Sequence, residues 1–241
     1  MNNVIIGEFI GTMLLVLLGD GVCANVTLNN SGFKAAGALF IAIGWGLAVC
    51  LPAAAFSGIC PASYNPALTV ALAADGSLLG GKFTIGIVIG MIIAEMAGGF
   101  VGAILVWVAF KPQFDASSDL GDSLRGVFCT APGVRNLPYN ILQEAIATFW
   151  LVFAIKAACG AFDLGTFGVF LTIVSCGTTF GGLTGYAMNA ARDTAPRLAF
   201  AILPIKGKGD ADWAYGLTAP LIGPFIGALA AVALYAFIPG M

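Results

Sequence analysis

Two short motifs that begin with asparagine are the clearest candidates for chemistry in this sequence. They read Asn65-Pro66-Ala67 and Asn189-Ala190-Ala191, and they open the short apolar stretches 66–74 and 190–203. Asparagine favours the N-cap of a helix, and proline favours its first turn. Two such helices meeting N-terminus to N-terminus would each contribute about half a positive charge. The two Asn amides would then offer hydrogen-bond donors to a neutral polar molecule between them.

Charged side chains within apolar sequence form a second group of candidates. Arg192 and Asp193 follow the second motif directly, and Glu8, Glu95 and Glu144 interrupt long apolar stretches. A buried charge needs a partner or marks a functional site. We interpret Arg192 as a functional residue, because a guanidinium keeps its charge at any physiological pH.

Residue types that serve other chemistries are absent or scattered. The chain has no histidine, so the commonest general base and metal ligand is missing. The cysteines form no CxxC pair and lie at Cys23, Cys50, Cys60, Cys129, Cys159 and Cys176. We therefore expect no disulfide framework, no metal site, no cofactor and no enzymatic activity. A net charge of −2 without a basic tail argues against a nucleic-acid partner.

The composition places the chain in a membrane. Hydrophobic residues make up 59% and charged residues 9% of the 241 positions, and the mean hydropathy is +0.97. Soluble domains carry roughly 25% charged residues, so this chain has too little charge to cover a surface that faces water. The N-terminus lacks a basic segment and its apolar run continues past Leu18, which favours a spanning helix over a cleaved signal.

Six apolar stretches are long enough for a helix of about 20 residues, the length that a bilayer requires. They cover about 4–26, 34–56, 83–110, 138–160, 165–183 and 214–238. The stretches 66–74 and 190–203 are too short to span. Irregular backbone at membrane depth persists only where it lines a cavity or is buried in protein, so we predict two re-entrant half-helices. We predict that 111–137 is the one long loop.

The two halves of the chain are similar to each other. The segment IGEFIGTMLL from Ile6 aligns with LQEAIATFWL from Leu142, and AEMAGGFVGA from Ala94 aligns with APLIGPFIGA from Ala219. These alignments place Glu8 opposite Glu144 and Glu95 opposite Pro220. Each half holds three spans, an odd number, so the second half enters the membrane upside down. We predict one domain over 1–241, built from a repeat at 1–110 and an inverted repeat at 138–241, as in many transport proteins.

Beyond these patterns, the sequence resembles the aquaporin (major intrinsic protein) family over its whole length, and within that family the glycerol facilitator branch. The segment 182–199, GLTGYAMNAARDTAPRLA, carries much of the resemblance. Asp193, the basic residue Arg197 and the pair Pro220-Leu221 match positions that separate glycerol facilitators from water-only members. The resemblance implies an all-α membrane fold of six transmembrane helices plus two half-helices in an inverted repeat.

The resemblance also implies a constriction at Trp45, Gly177, Tyr186 and Arg192. Water-selective members have a histidine where Gly177 stands, which argues against a strict water channel. We expect Trp45 and Tyr186 to form an apolar corner for the carbon chain of a solute, with Arg192 donating to hydroxyls from the opposite side. Gly177 is expected to leave room for that chain.

Several carboxylates acquire expected roles from the same resemblance. Glu8 and Glu144 are expected to accept hydrogen bonds from the backbone of the two pore loops, in preference to a role in proton relay. Asp193 is expected to support the second loop. Glu95 stands where the family often has glutamine, and the sequence leaves open whether it is protonated or bonded to a loop.

Three departures from the family pattern bear on the solute. Pro61-Ala62-Ser63, after Cys60, replaces Gly-Ala-His ahead of the first motif; Ala190 replaces proline in the second motif; and Tyr186 replaces the usual phenylalanine. The first of these loops donates backbone carbonyls to the pore in the family. These changes bear on the shape of the pore and on its preference among solutes.

The sequence therefore predicts a passive channel for glycerol and similar small uncharged solutes, with some water permeability. Protonated lactic acid, dihydroxyacetone and urea are alternative solutes. An ion-coupled secondary transporter is a remoter alternative, and it would need a coupling-ion site, yet no carboxylate pair is apparent beside the Asn motifs. The expected partners are the solute, water, the lipid bilayer and, by resemblance, three more copies in a homotetramer. Small residues that permit close helix packing are Gly98, Gly99, Gly102, Gly223 and Gly227.

The orientation in the membrane follows from two arguments that disagree. The loops after the first, third and fifth spans hold most of the Lys and Arg residues, which by the positive-inside rule would place both termini outside. The family resemblance places the termini in the cytoplasm. Part of the charge bias belongs to a pore loop and part to a long loop, where the rule is weak. We therefore expect a cell-membrane protein with cytoplasmic termini.

Overall fold

A computed structural model describes residues 2–161 and 163–238 of the chain. The α-helices in these ranges are α1 (Asn2–Thr27), α2 (Ala38–Phe56), α3 (Pro66–Ala74), α4 (Ile85–Ala109), α5 (Lys111–Asp115), α6 (Leu137–Ala161), α7 (Gly165–Thr184), α8 (Ala190–Ile202), α9 (Trp213–Gly216) and α10 (Ala219–Phe237). Six of them, α1, α2, α4, α6, α7 and α10, account for the segments long and apolar enough to cross a membrane. The predicted all-α fold with six spans is confirmed.

The predicted start of the second span needs correction, and the last span is interrupted. The second span begins at Ala38 and not at 34, because the chain turns through positive φ angles at Ala35 (62°) and Gly37 (92°). The last predicted span divides into α9 and α10 at Thr218, whose backbone is not helical. Pro220 then lies in the first turn of α10, where its missing N–H leaves no hydrogen bond unmade. Hydropathy does not register breaks of this kind.

The two half-helices begin where the asparagine motifs predict. Asn65 Oδ1 accepts the Ala67 N–H of α3 at 3.0 Å. Asn189 Oδ1 accepts the N–H groups of Ala191 at 2.8 Å and Arg192 at 3.3 Å. The second cap therefore holds although its motif lacks proline. With 9 and 13 residues at about 1.5 Å per residue, neither helix can cross a bilayer.

Each half-helix is also fixed at its C-terminus. Asp75, at the end of α3, pairs with Lys156 of α6 at 2.7 Å. Burial opposes ionisation of Asp75, but hydrogen bonds from Lys156 and Ser77 together with the Lys156 charge outweigh it, so the pKa of Asp75 lies below its ordinary value. At the end of α8, the Lys208 ammonium donates to the carbonyls of Phe200, Ala201 and Leu203 at 2.7–2.8 Å. A cation at this position also complements the negative end of the helix dipole.

Glycines bring neighbouring helices into backbone contact within the chain. A Cβ added at Gly98 or Gly102 of α4 would lie 2.3 or 2.5 Å from a carbonyl oxygen of α1. In the other half, a Cβ at Gly227 of α10 would lie 2.0 Å from the Ala145 carbonyl of α6. Gly223 packs on α6 in the same way, and Gly99 packs on α8. These small residues serve packing inside one chain.

The segment between α4 and α6 differs from the long loop predicted for it. It forms the short helix α5 and a 3₁₀ turn at Gly121–Val127. Phe114 and Phe128 are buried, and their stacked rings have centres 5.5 Å apart. The ring centre of Phe128 lies 5.7 Å from that of Phe200 in α8. The segment is therefore packed against one end of α8. The sequence predicted a loop, but the widely spaced apolar residues of this segment are buried in the core.

The glycine contacts predict which substitutions the fold tolerates. Gly227→Ala should destabilise the protein by about 1–3 kcal/mol, because the methyl group forces α10 away from the Ala145 carbonyl. Gly182→Ala in α7 is the matched control, since a Cβ there meets nothing within 4 Å. Thermal unfolding in detergent should show a lower midpoint for Gly227→Ala only. Equal midpoints for the two variants would contradict this packing.

Candidate functional site

The N-termini of α3 and α8 meet in the middle of the chain through two reciprocal hydrogen bonds. Asn65 Nδ2 donates to the Met188 carbonyl at 2.8 Å, and Asn189 Nδ2 donates to the Tyr64 carbonyl at 2.7 Å. Each carboxamide has a second N–H, which remains for a solute. The sequence predicted both amides as pore donors, and the structure adds that each also joins its loop to the opposite one.

The backbone before each asparagine adopts the same unusual conformation. Ala62 and Tyr64 have φ of 54° and 49°, and Tyr186 and Met188 have φ of 42° and 52°. These residues lie three and one positions before Asn65 and Asn189. A left-handed conformation at a non-glycine residue costs about 1 kcal/mol or more, so surrounding contacts must hold it. The outcome is that two successive N–H groups in each loop point to one side.

Those N–H groups are held by the two carboxylates expected to hold them. Glu8 of α1 accepts from Ser63 at 3.2 Å and Tyr64 at 2.8 Å. Glu144 of α6 accepts from Ala187 at 3.0 Å and Met188 at 2.8 Å. Both glutamates are fully buried. Their contacts fix the strained loops to helices α1 and α6.

Three of the predicted constriction residues lie together, with a different arrangement from the one expected. The Arg192 guanidinium lies 4.0 Å from the centre of the Trp45 ring, so it stacks on the indole and does not face it across the pore. Tyr186 lines the same cavity. The Trp45 indole N–H is directed to Cys23 Sγ at 3.4 Å. Among the described residues, the Arg192 side chain has no hydrogen-bond or ion-pair partner, which leaves its donors for a solute.

Gly177 does not leave open space as predicted. A Cβ added there would lie 2.7 Å from Ala42 Cβ and 3.1 Å from Tyr186 Cζ. The volume beside Gly177 is therefore filled by the Tyr186 ring and by α2. A side chain at Gly177 would therefore crowd both α2 and the Tyr186 ring.

The constriction residues Trp45, Tyr186 and Arg192 line a cavity of about 210 Å³. Its apolar lining residues include Leu15, Val49, Leu68, Leu151, Ile155 and Ile173. Its lining residues with hydrogen-bonding side chains include Ser57, Ser63, Asn65, Thr166, Asn189 and Arg192. Pro61 and Ala62 also line it, so the loop that departs from the family pattern contacts the pore. Such a lining suits a molecule with a hydrocarbon side and a hydroxyl side.

Asp193 and Arg197 hold α8 in place and do not line the cavity. Asp193 accepts from the Thr130 N–H and hydroxyl at 2.7 Å each, and from Arg197 at 2.9 and 3.0 Å. Arg197 also donates to the carbonyls of Thr130, Ala211 and Asp212. Both side chains are fully buried. The pair therefore ties the second half-helix to two loops.

The expectation that no carboxylate pair lies beside the asparagine motifs is wrong. Glu95 of α4 is fully buried and accepts from the Thr69 hydroxyl of α3 at 2.5 Å. Glu8 of α1 binds the backbone of Ser63 and Tyr64, directly before the same motif. Neither glutamate lines the cavity. The pair forms because α1 and α4 pack closely at Gly98, a long-range contact that motif spacing does not reveal.

Asp20 is a buried charge that the sequence interpretation missed. It lies in α1, fully buried, and neither carboxylate oxygen has a hydrogen-bond partner among the described residues. Arg192 and Asp193 are the charged residues close enough to act on it. A lone acid within an apolar spanning helix was the available signal.

Comparison with known proteins adds independent observations. Residues 1–235 match the family described as major intrinsic protein. The chain is 42% identical over 238 residues to glycerol uptake facilitator protein 3 of Lactiplantibacillus plantarum, covering 98% of this chain and 96% of that protein. It is 38% identical over 232 residues to a D/L-lactic acid transporter of the same organism, covering 95% and 94%. Among solved structures, it is similar to the aquaglyceroporin from Plasmodium falciparum, with a TM-score of 0.83 and 26% identity over 97% and 95% of the two chains.

The two arginines of α8 should respond differently to the same substitution. Arg197→Lys should lower the free energy of unfolding by about 1–3 kcal/mol, because an ammonium cannot reproduce the forked bonds to Asp193 and the loop carbonyls. Arg192→Lys is the control, since its side chain has no such bonds among the described residues. Thermal unfolding of both purified variants checks this. A larger loss for Arg192→Lys would contradict the assigned roles.

Proposed function

The chain belongs to the major intrinsic protein family, and we propose that it is a passive membrane channel for glycerol and similar small uncharged solutes, with some water permeability. The observation that carries this proposal is the cavity lined by Trp45, Tyr186 and Arg192, whose lining combines many apolar side chains with a few that form hydrogen bonds. A polyol matches such a lining, because its carbon atoms contact apolar side chains while its hydroxyls bond the polar ones.

The donors in this path suit hydroxyl groups. The Arg192 guanidinium is fixed against Trp45, and its N–H groups are not used by other described residues. Farther in, Asn65 and Asn189 each use one side-chain N–H to bond the opposite loop, and the second N–H of each amide is available to a solute. A solute that moves past these donors exchanges its hydrogen bonds with water for bonds to them, which lowers the barrier to its dehydration.

The same groups oppose the passage of cations and protons. Arg192 places a permanent positive charge at the constriction. The converging N-termini of α3 and α8 add about half a charge each. Because this potential acts at a narrow point, uncharged solutes are admitted in preference to cations.

A second candidate solute is protonated lactic acid, which is also small and uncharged. One relative is described as a D/L-lactic acid transporter. Two departures from the family pattern, Ser63 and Tyr186, bring hydroxyl oxygens that have no partner among the described residues. Both residues line the cavity, and a turn of either side chain toward it would let the hydroxyl bond a solute with a carboxylic acid group. The carboxyls of Glu8 and Glu95 are buried away from the cavity, so they do not favour an ion-coupled transporter.

The proposed assembly follows the family resemblance. Equivalent contacts in the two halves support two inverted repeats, 1–110 and 138–241. Glu8 and Glu144 each accept from the loop of their own half, and Asn65 and Asn189 each donate to the opposite loop. We place the protein in the cell membrane as a homotetramer with cytoplasmic termini. An exposed apolar stripe on α2, formed by Leu39, Ile43, Leu47 and Leu51, is available for lipid or a neighbouring copy.

Reconstitution into proteoliposomes tests the proposed function. After a glycerol gradient is imposed, vesicles with the protein should reswell faster than protein-free vesicles. Gly177→Ala should slow glycerol more than water, because the added methyl group would lie 2.7 Å from Ala42 Cβ and 3.1 Å from the Tyr186 ring, and Tyr186 lines the cavity.

Gly181→Ala is the matched control in the same helix. A Cβ there meets the same ring at an ordinary 3.4 Å, so glycerol flux should stay near that of the parent. If the wild-type protein does not accelerate glycerol, the proposed solute is wrong. If both variants slow glycerol and water equally, Tyr186 does not set the pore width.

A further inference from the structure

A groove on the outer surface of the chain is separate from the solute cavity. It lies between α4, α8 and α9 and has a volume of about 320 Å³. Its lining residues include Met96, Ala97, Phe100, Thr194, Leu198 and Trp213. None of them lines the solute cavity. The half-helix α8 therefore contacts the solute cavity through Arg192 and this groove through Leu198.

The groove extends from the middle of the membrane toward one of its surfaces. The half-helix α8 begins beside Asn189, where the two half-helices meet, and it ends at Ile202. At 1.5 Å per residue, Thr194 lies about 7 Å and Leu198 about 13 Å along α8 from Asn189. Half of a hydrocarbon core is about 15 Å thick. The groove thus has the depth range of the acyl chains of one leaflet.

The lining of the groove suits hydrocarbon better than water. Among the described lining side chains, only Thr194 and Trp213 carry O–H or N–H groups. An ordered water molecule needs two to four polar partners. Tryptophan is enriched at the boundary between hydrocarbon and headgroups, and Trp213 follows the loop after α8. An apolar chain that ends near Trp213 matches this distribution.

The groove is continuous with the surface that faces lipid. On the spanning helix α4, Ile85, Ile89 and Ile93 are 78%, 52% and 62% exposed. Their spacing of four residues places them on one face, which leads to Ala97 in the groove. A stable contact between proteins takes roughly 20–30 residues on each side, far more than line this groove. Lipid therefore fits the groove better than a second copy of the chain does.

We propose that this groove binds one acyl chain of a membrane phospholipid, which packs against α8 outside the solute cavity. The small side chains of Ala97 and Ala195 leave the space that the acyl chain fills. A molecule that binds the folded state alone stabilises it, so the bound chain supports the half-helix that carries Arg192.

Brominated lipid tests this site, because bromine quenches the fluorescence of a nearby tryptophan. The protein is reconstituted in phosphatidylcholine with and without brominated acyl chains, and subtraction of the Trp213→Phe signal isolates Trp213. Ala97→Phe places a ring in the groove, so it should abolish most of the Trp213 quenching seen in the wild type. Ile89→Phe is the control on the same face of α4, outside the groove, and should be quenched as the wild type.

Thermal unfolding in detergent gives a second readout. Added phosphatidylcholine should raise the unfolding midpoint of the wild type and of Ile89→Phe more than that of Ala97→Phe. Ala97→Leu, a smaller filling, replaces Ala97→Phe in both assays if the larger side chain prevents folding.

Equal quenching in the wild type and in the filled variant would overturn the proposal, because lipid would then only pass over the surface. Absence of Trp213 quenching, with copies cross-linked through Ala97→Cys, would show that a second copy covers the groove and would also overturn it. Neither readout involves glycerol, so the result is independent of the proposed solute.

Discussion

The two hydrogen bonds exchanged between the Asn65 and Asn189 amides and the carbonyls of Met188 and Tyr64 join the ends of both half-helices at one point. Neither half-helix can span a membrane alone, so the N-terminus of each must be held inside the protein by other groups. The two exchanged hydrogen bonds hold these N-termini and set the spacing of the two positive helix ends. The cavity lining, the constriction and the strained loops all depend on this junction staying closed.

A membrane interior offers no water, so buried polar groups must find partners within the protein. The charges that support the fold have them: Glu144 holds the second loop, and Asp193 pairs with Arg197 at 2.9 Å. Buried carboxyl oxygens without a partner among the described residues include both of Asp20 and Oε2 of Glu95. The Arg192 side chain also has no hydrogen-bond or ion-pair partner there, and it lines the cavity. Unsatisfied groups are costly, so a functional role is the expected reason for keeping them.

The sequence predicted the fold class, the six spans and the starts of both half-helices, because apolar length and an Asn cap are local properties. It failed where contacts are long-range. Gly177 appeared to leave space, yet the Tyr186 ring fills it. Arg192 was placed opposite Trp45, but a flat cation stacks on an indole. Glu95 had no apparent partner, but packing of α4 against α3 brings it to the Thr69 hydroxyl. Such contacts arise from three-dimensional packing, which residue spacing does not encode.

The central claim is that neutral solutes cross this protein passively, along a path whose charges exclude cations. The most direct measurement records glycerol entry and ionic current together in one reconstituted membrane. The account predicts glycerol flux that rises in proportion to the gradient, without saturation, without current, and unchanged when ion gradients are abolished. Glycerol accumulation against its gradient, or flux that stops when the ion gradients are removed, would contradict it.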